Sequence, residues 1–395
     1  MPIYLDHNAT TPVDPAVLEA MLPFLRDDFA NASSVHSPGQ RARAAVDEAR
    51  ESVAALIGAK ASEIVFTGGG TEADNLAILG VIKASNAPNK HIISALIEHH
   101  AVLQTCQALE KAGVAVTYIA PNASGAISPD SVRRALRNET VLISVMHANN
   151  ELGTIQPVEE IGRIAREART PFHVDAVQSA GKLPIDVREI GADLLSLSAH
   201  KFYGPKGIGA LYVRSGSRLE PIFHGGQHER GLRPGTENVP DIVGMGKAAQ
   251  LARQHLAEDA SRMATLRDRF EFALRESIRS IRVNGEHAQR VCNTTNVTVP
   301  GASGESLVIA LDLQGIACST GAACSSGAIE PSHVLLAIGL SDEDARSSVR
   351  FSLGRTTTTA EIDHAIAVIP AVVERLRALS PRFSATTPVA ARRAN

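Results

Sequence analysis

Only four cysteines, Cys106, Cys292, Cys318 and Cys324, are spread over 395 residues. They are too few and too scattered for a disulfide framework in a chain of this length. None stands in a Cys-x-x-Cys pair, which excludes the common zinc spacing and leaves free thiols for chemistry. A surplus of charge is missing as well: the formal net charge is -3, so no general attraction to nucleic acid is expected. Long apolar runs are absent. The stretch from Ala365 to Val373 is short and broken by Pro370, which argues against a membrane span. At the start, Met1-Pro2-Ile3-Tyr4-Leu5-Asp6 has neither a basic n-region nor an apolar h-region, so the expected compartment is cytoplasmic. What remains is a globular composition, 44% apolar, long enough for two domains with ample core.

Short apolar runs alternate with helical patterns. Ile64-Val65-Phe66, Ile92-Ile93-Ser94, Val114 to Ile119, Val141 to Met146, Phe172 to Val174 and Leu194 to Leu197 read as strands. Pro15 opens a helix with Val17, Leu18, Met21 and Leu22 on one face. Asn31 to Gly39 reads as a polar loop, and Arg41 to Ile57 as a helix stopped by Gly58. The alternation predicts an α/β fold with a mostly parallel sheet flanked by helices, its sites at the carboxyl ends of the strands. A long helix, Asp241 to Ile278, then leads to a smaller α+β domain with strands near Ile281-Arg282-Val283 and Thr295 to Val299, a helix from Glu305 to Leu313, and the segment Val349 to Arg355. The tail after Pro381 carries Arg382, Arg392 and Arg393 without an acid and is expected to be disordered.

Several strand ends carry reactive groups. The run Leu194 to Leu197 leads through Ser198-Ala199-His200 to Lys201, before a Gly/Pro turn. A lysine at the mouth of a sheet loses basicity on burial and becomes a nucleophilic amine, suited to a Schiff base with a carbonyl cofactor such as pyridoxal phosphate. Asp175 ends an earlier strand, 26 residues before Lys201. It either caps the next helix or holds a pyridinium nitrogen protonated. Thr67-Gly68-Gly69-Gly70-Thr71 is a glycine turn opening a helix, which serves equally as a phosphate cradle or as a helix start capped by Thr71. His99 follows a strand, as does Asn150; each has a purely structural reading too. His224 and His228 have i, i+4 spacing, but the glycines between them favour a loop over a metal pair. The run from Ala317 to Gly327 has almost no bulky side chain and is expected to be mobile. Within it Cys318, beside Ile316 and Ala317, reads as a structural thiol and Cys324 as a functional one.

Asp175-Ala176-Val177-Gln178, Ser198-Ala199-His200-Lys201 and Cys324-Ser325-Ser326-Gly327 with Glu330-Pro331-Ser332-His333 resemble, in order and spacing, the cysteine desulfurases of the NifS/IscS type. The resemblance runs from Tyr4-Leu5-Asp6 to about Pro381. It implies a fold-type I pyridoxal phosphate-dependent transferase of the class-V aminotransferase kind, with a large cofactor-binding domain at 14–258. Residues 1–13 and 259–381 would form the small domain carrying the cysteine loop, and 382–395 the tail. It further implies Lys201, His99 and Cys324 as catalytic residues. Gly70, Thr71, His99, Asn150, Asp175, Gln178, Ser198, His200 and Lys201 would bind the cofactor, Thr236 would reach the phosphate of a neighbouring subunit in a homodimer, and Arg350 and Asn150 would bind substrate. On this reading L-cysteine yields L-alanine and a persulfide on Cys324, which goes to a protein acceptor such as an iron-sulfur scaffold. No resident metal, nucleic acid or membrane is implied, although Cys324 could transiently ligate an iron-sulfur cluster in a complex. A selenocysteine lyase or aminotransferase would share Lys201 and Asp175 without needing Cys324, and a non-catalytic scaffold would need neither.

Overall fold

A computed structural model describes residues 2–321 and 330–379. The expected cysteine loop with Cys324 and the expected disordered tail lie outside the described residues.

A seven-stranded sheet organises the first two thirds of the chain. Its strands are β1 (Ile64–Thr67), β2 (His91–Ala95), β3 (Ala115–Ile119), β4 (Thr140–Met146), β5 (Phe172–Asp175), β6 (Leu194–Ser198) and β7 (Gly209–Val213). Their order across the sheet is β1-β7-β6-β5-β4-β2-β3. Neighbours from β6 to β3 run parallel, whereas β7 is antiparallel to both β6 and β1. The strands are apolar on both faces because both faces are covered. Phe66, Ile93, Val145, Val174 and Leu197 join one core, and Val65, Ile92, Leu142, Leu194 and Leu211 join the other. Helices Ser37–Leu56 and Val158–Ala168 lie on the first face, Gly70–Ala84 and His100–Lys111 on the second.

One close approach on the first face can be tested directly. A Cβ at Gly162 would lie 1.8 Å from the backbone oxygen of Ile190 and 3.5 Å from the Phe172 ring. Gly162→Ala must push its helix away from the short helix Val187–Ile190, and it should cost about 1–3 kcal/mol. Urea denaturation would show this as a lower midpoint at unchanged m-value.

The helix expected from Arg41 begins at Ser37, capped by His36, whose Nδ1 accepts from Gly39 N at 3.2 Å. Ser-Pro-Gly had looked like part of a loop, but proline is well placed in a first helical turn. The long helix runs over 39 residues, Val239–Ser277, and feeds two cores: Ile242, Met245 and Ala249 pack under the large sheet, while Leu266, Phe270 and Leu274 pack in a second core. That second core also takes Leu5, Val297, Phe351 and Ile369. Around it lie three antiparallel strands, β8 (Arg282–Asn284), β9 (Thr294–Thr298) and β10 (Ser348–Ser352), in the order β10-β9-β8. Ile3–Tyr4 pairs in parallel with Ile316–Ala317, so the start of the chain is stitched to this part. Pro370 does not end its apolar run, which continues through it inside the helix Thr359–Leu379. Among the described residues no helix is long and apolar enough to cross a membrane.

Candidate active site

The carboxyl ends of five strands converge on a cavity of about 490 Å³ lined by Gly70, Thr71, His99, Asn150, Asp175, Gln178, Ser198, His200, Lys201 and Arg350. The fold thus brings together every cofactor or substrate residue expected from the sequence except Thr236. Thr236 is exposed and does not line it.

Lys201 ends a short 3-10 turn after β6. Its Nζ donates to two backbone oxygens, Asn8 O at 2.7 Å and Ala9 O at 2.8 Å. Burial lowers its pKa to about 8, with help from Arg350, against the pull of Asp175 and Asp6. Such an amine keeps a sizeable uncharged, nucleophilic fraction at neutral pH.

Asp175 is the last residue of β5 and is 5% exposed. Its Oδ1 accepts from Val177 N at 2.9 Å, so it does cap the turn that follows. Burial raises its pKa to about 6, and the Val177 N–H and Lys201 restrain the rise. Two further buried acids stand near it. Burial pushes Asp74 well above the carboxylate range, and the charges of Asp175 and Glu98 add to the effect. Glu98 is likewise raised by burial, and by Asp175. Three carboxylates cannot all ionise in so small a dry volume. Burial and mutual repulsion disfavour charge on Asp74 and Glu98, whereas the Val177 N–H and Lys201 favour it on Asp175.

His99 caps the helix His100–Lys111, with Nδ1 accepting from Ala101 N at 3.1 Å. Partial desolvation, then the charges of Lys201, His100 and His333, lower its pKa to about 4. The ring is therefore neutral, and its remaining proton sits on Nε2. At the glycine turn, Gly69 has φ 149° and is the N-cap, so Thr71 lies inside the helix rather than capping it. A side chain at Gly70 would meet Val177 Cγ2 at 2.8 Å and Ser198 Cβ at 3.4 Å, which keeps this helix start open to a ligand.

Arg350 is already engaged. Its Nη2 bonds Asp6 Oδ1 at 2.6 Å and its Nη1 the backbone oxygen of Asn150 at 3.0 Å, while Nε is buried without a partner among the described residues. The backbone of Arg350 also pairs with Ser319. Glu151 touches both flanks of residues 322–329: it accepts from Ser332 Oγ at 2.5 Å, and a Cβ on Gly321 would lie 2.9 Å from its Oε2.

The residue that sequence reasoning missed most plainly is Asn8. It is 2% exposed, and its side chain and backbone bond Asn150, Thr294, Asn293, Gln178, Lys182, Lys201 and Ser352. Nothing in Tyr4 to Pro12 marks one asparagine as the point where lead-in, sheet and second core meet. The loop reading of His224 to His228 stands: a 3-10 turn begins only at His228, with Glu229 and Arg230 at φ 46° and 58°. This left-handed pair is held because Glu229 takes Arg50 in two bonds, 2.6 and 2.7 Å, and Phe66 N at 2.8 Å.

These residues fit pyridoxal phosphate: an amine without a carboxylate partner among the described residues, a buried acid that bonds the Val177 N–H, and an open glycine helix start. Residues 3–364 match the family described as Aminotransferase class-V. The chain is 48% identical over 379 residues to a protein of Dictyoglomus turgidum named Cysteine desulfurase IscS, covering 96% of both. Among solved structures, a NifS-like protein superposes with TM-score 0.89 at 37% identity, covering 95% of this chain and all of the other. Another, titled SspA in complex with cysteine, gives TM-score 0.80 at 43% identity over 90% of this chain and all of the other.

Proposed function

The chain belongs to the aminotransferase class-V family, and on that premise we propose that it is a cysteine desulfurase that takes sulfur from L-cysteine, releases L-alanine and holds the sulfur as a persulfide on Cys324. The observation that carries the reading is the meeting of Lys201, Asp175, His99 and Arg350 in one cavity.

Pyridoxal phosphate, when bound, supplies an aldehyde for covalent capture of an amine and a ring that accepts the electrons freed at Cα. Gly70, Thr71, Ser198 and His200 would hold the phosphate, with Thr236 from a second copy; the exposure of Thr236 away from its own cavity supports a homodimer. Asp175 would hold the proton on the ring nitrogen, Asn150 and Gln178 would meet the ring oxygen, and His99 would cover the ring. Lys201 moves the Cα proton. Arg350 receives the substrate carboxylate in place of Asp6, a bidentate exchange its unpartnered Nε favours. His99 carries the thiol proton. As the Cys324 thiolate attacks the substrate sulfur, the Cβ–S bond breaks with its electron pair left on carbon, where a proton completes alanine.

The same reading divides the chain into a large domain at 14–258 and a small one at 1–13 with 259–381, in keeping with the separate core of Leu5, Leu266 and Phe351. It takes a protein sulfur acceptor, such as an iron-sulfur scaffold, and the cytoplasm as the setting.

Two measurements test it. Purified protein given L-cysteine and a thiol reductant should form alanine and sulfide in equal amounts without any 2-oxo acid; a requirement for a 2-oxo acid would make it an aminotransferase. Capture of pyridoxal phosphate by the stripped protein should also follow the free amine of Lys201. Below its pKa of about 8 the protonated fraction grows, so the capture rate should climb about tenfold per pH unit up to that value and level off above it. A midpoint near that of an ordinary lysine would remove Lys201 from the role.

A further inference from the structure

Lys182 takes no part in the steps above, yet it is 7% exposed beside the cavity. Its Nζ donates to two amide oxygens, Gln178 Oε1 at 2.8 Å and Asn8 Oδ1 at 3.2 Å. Neither partner is charged. Which end of each amide is the oxygen follows from what faces the other end: Gln178 Nε2 meets the backbone oxygen of Asn8 at 2.9 Å, and Asn8 Nδ2 meets the backbone oxygen of Asn150 at 3.0 Å. Carbonyl oxygens only accept, so the nitrogens must point to them and the oxygens to Lys182. An uncharged amine has two N–H donors, and two oxygens meet them here. Burial lowers the pKa of Lys182 to about 7, and the charges of Lys201 and Arg350 push the same way against Cys292.

We infer that Lys182 is a positioning residue for the cofactor cavity: by holding Gln178 Oε1 it makes Gln178 present an N–H, and not its oxygen, to the bound group. The inference rests on the proposed reading, since Gln178 lines the same cavity as Lys201. It specifies that the group bound there carries an acceptor at this point, as the ring oxygen of pyridoxal phosphate does. Without the amine, two buried amide oxygens lose a donor, and Gln178 keeps only its bond to Asn8.

A double-mutant cycle on the stripped full-length protein tests this, read as the Kd for pyridoxal phosphate by absorbance titration. Lys182→Met and Gln178→Leu should each weaken binding about tenfold, and the double variant should be no weaker than either alone, because Lys182 acts through Gln178. Lys182→Gln, which keeps an uncharged donor, should recover most of the loss; if Lys182→Met melts early, all four proteins of the cycle are titrated below its melting temperature. Losses that multiply in the double variant would overturn the inference and reduce Lys182 to a general structural part. A wild-type protein that binds no pyridoxal phosphate would instead overturn the cofactor reading itself, so the two failures are told apart by the first titration.

Discussion

Lys201→Ala should lower the formation of alanine from L-cysteine by about four orders of magnitude while leaving the fold intact. The size follows from two losses at one atom: the covalent hold on the cofactor and the base that moves the Cα proton, the second alone worth about 10²–10⁴. The fold should survive because, among the described residues, Nζ bonds only the backbone oxygens of Asn8 and Ala9 at the cavity wall, where water can replace it. Lys182 cannot take over, since its amine is committed to the oxygens of Gln178 and Asn8. Thermal melts of the variant should overlay the wild type, and activity within tenfold of wild type would remove Lys201 from the mechanism.

The strands that place Lys201 were legible because a parallel strand covered on both faces is a mostly apolar run, as in Leu194 to Leu197. The ends of those runs could then be scanned for reactive groups, and Asp175, His99 and Asn150 were found in that way. The antiparallel β7, Gly209–Val213, was not among the strands read from the sequence; it returns beside β6 only after the segment that carries Lys201. Contacts across the chain gave no signal at all. Asp6 meets Arg350 and Asn8 meets Thr294 across 344 and 286 positions, and no periodicity records such pairs. Lys182 is the same case in a harder form: a lysine is ordinarily a surface residue, and only the fold shows two amide oxygens waiting for it. Arg350 was legible as a carboxylate binder only through family resemblance, which did not disclose that Asp6 occupies it first.

Cys324→Ala should leave the protein able to bind pyridoxal phosphate and unable to hold sulfur. Cys324 itself lies outside the described residues, and the other three cysteines make poor nucleophiles. Cys106, Cys292 and Cys318 are all buried. Burial raises the thiol of Cys106 to about 12 and that of Cys318 to about 12, and raises Cys292 against the opposing pull of Lys182. At pH 8 a thiol with a pKa of about 12 is ionised only to ~10⁻⁴, and the thiolate is the nucleophile. Neither Cys106 nor Cys318 can replace a working thiolate and Cys292 is buried as well, so turnover in the variant should fall at least ~10³-fold. Cys324 follows Gly321 by three residues, a reach of at most ~11 Å, and Gly321 lines the cavity. The decisive reading is the mass of the Cys324-bearing peptide after wild-type protein meets L-cysteine without reductant. One added sulfur on that peptide, and on no other cysteine peptide, would fix both the acceptor atom and the substrate bond that breaks. Added sulfur on Cys318 or undiminished turnover in the variant would move the persulfide off Cys324, and the segment between Gly321 and Ser332, both near Glu151, would then need another role.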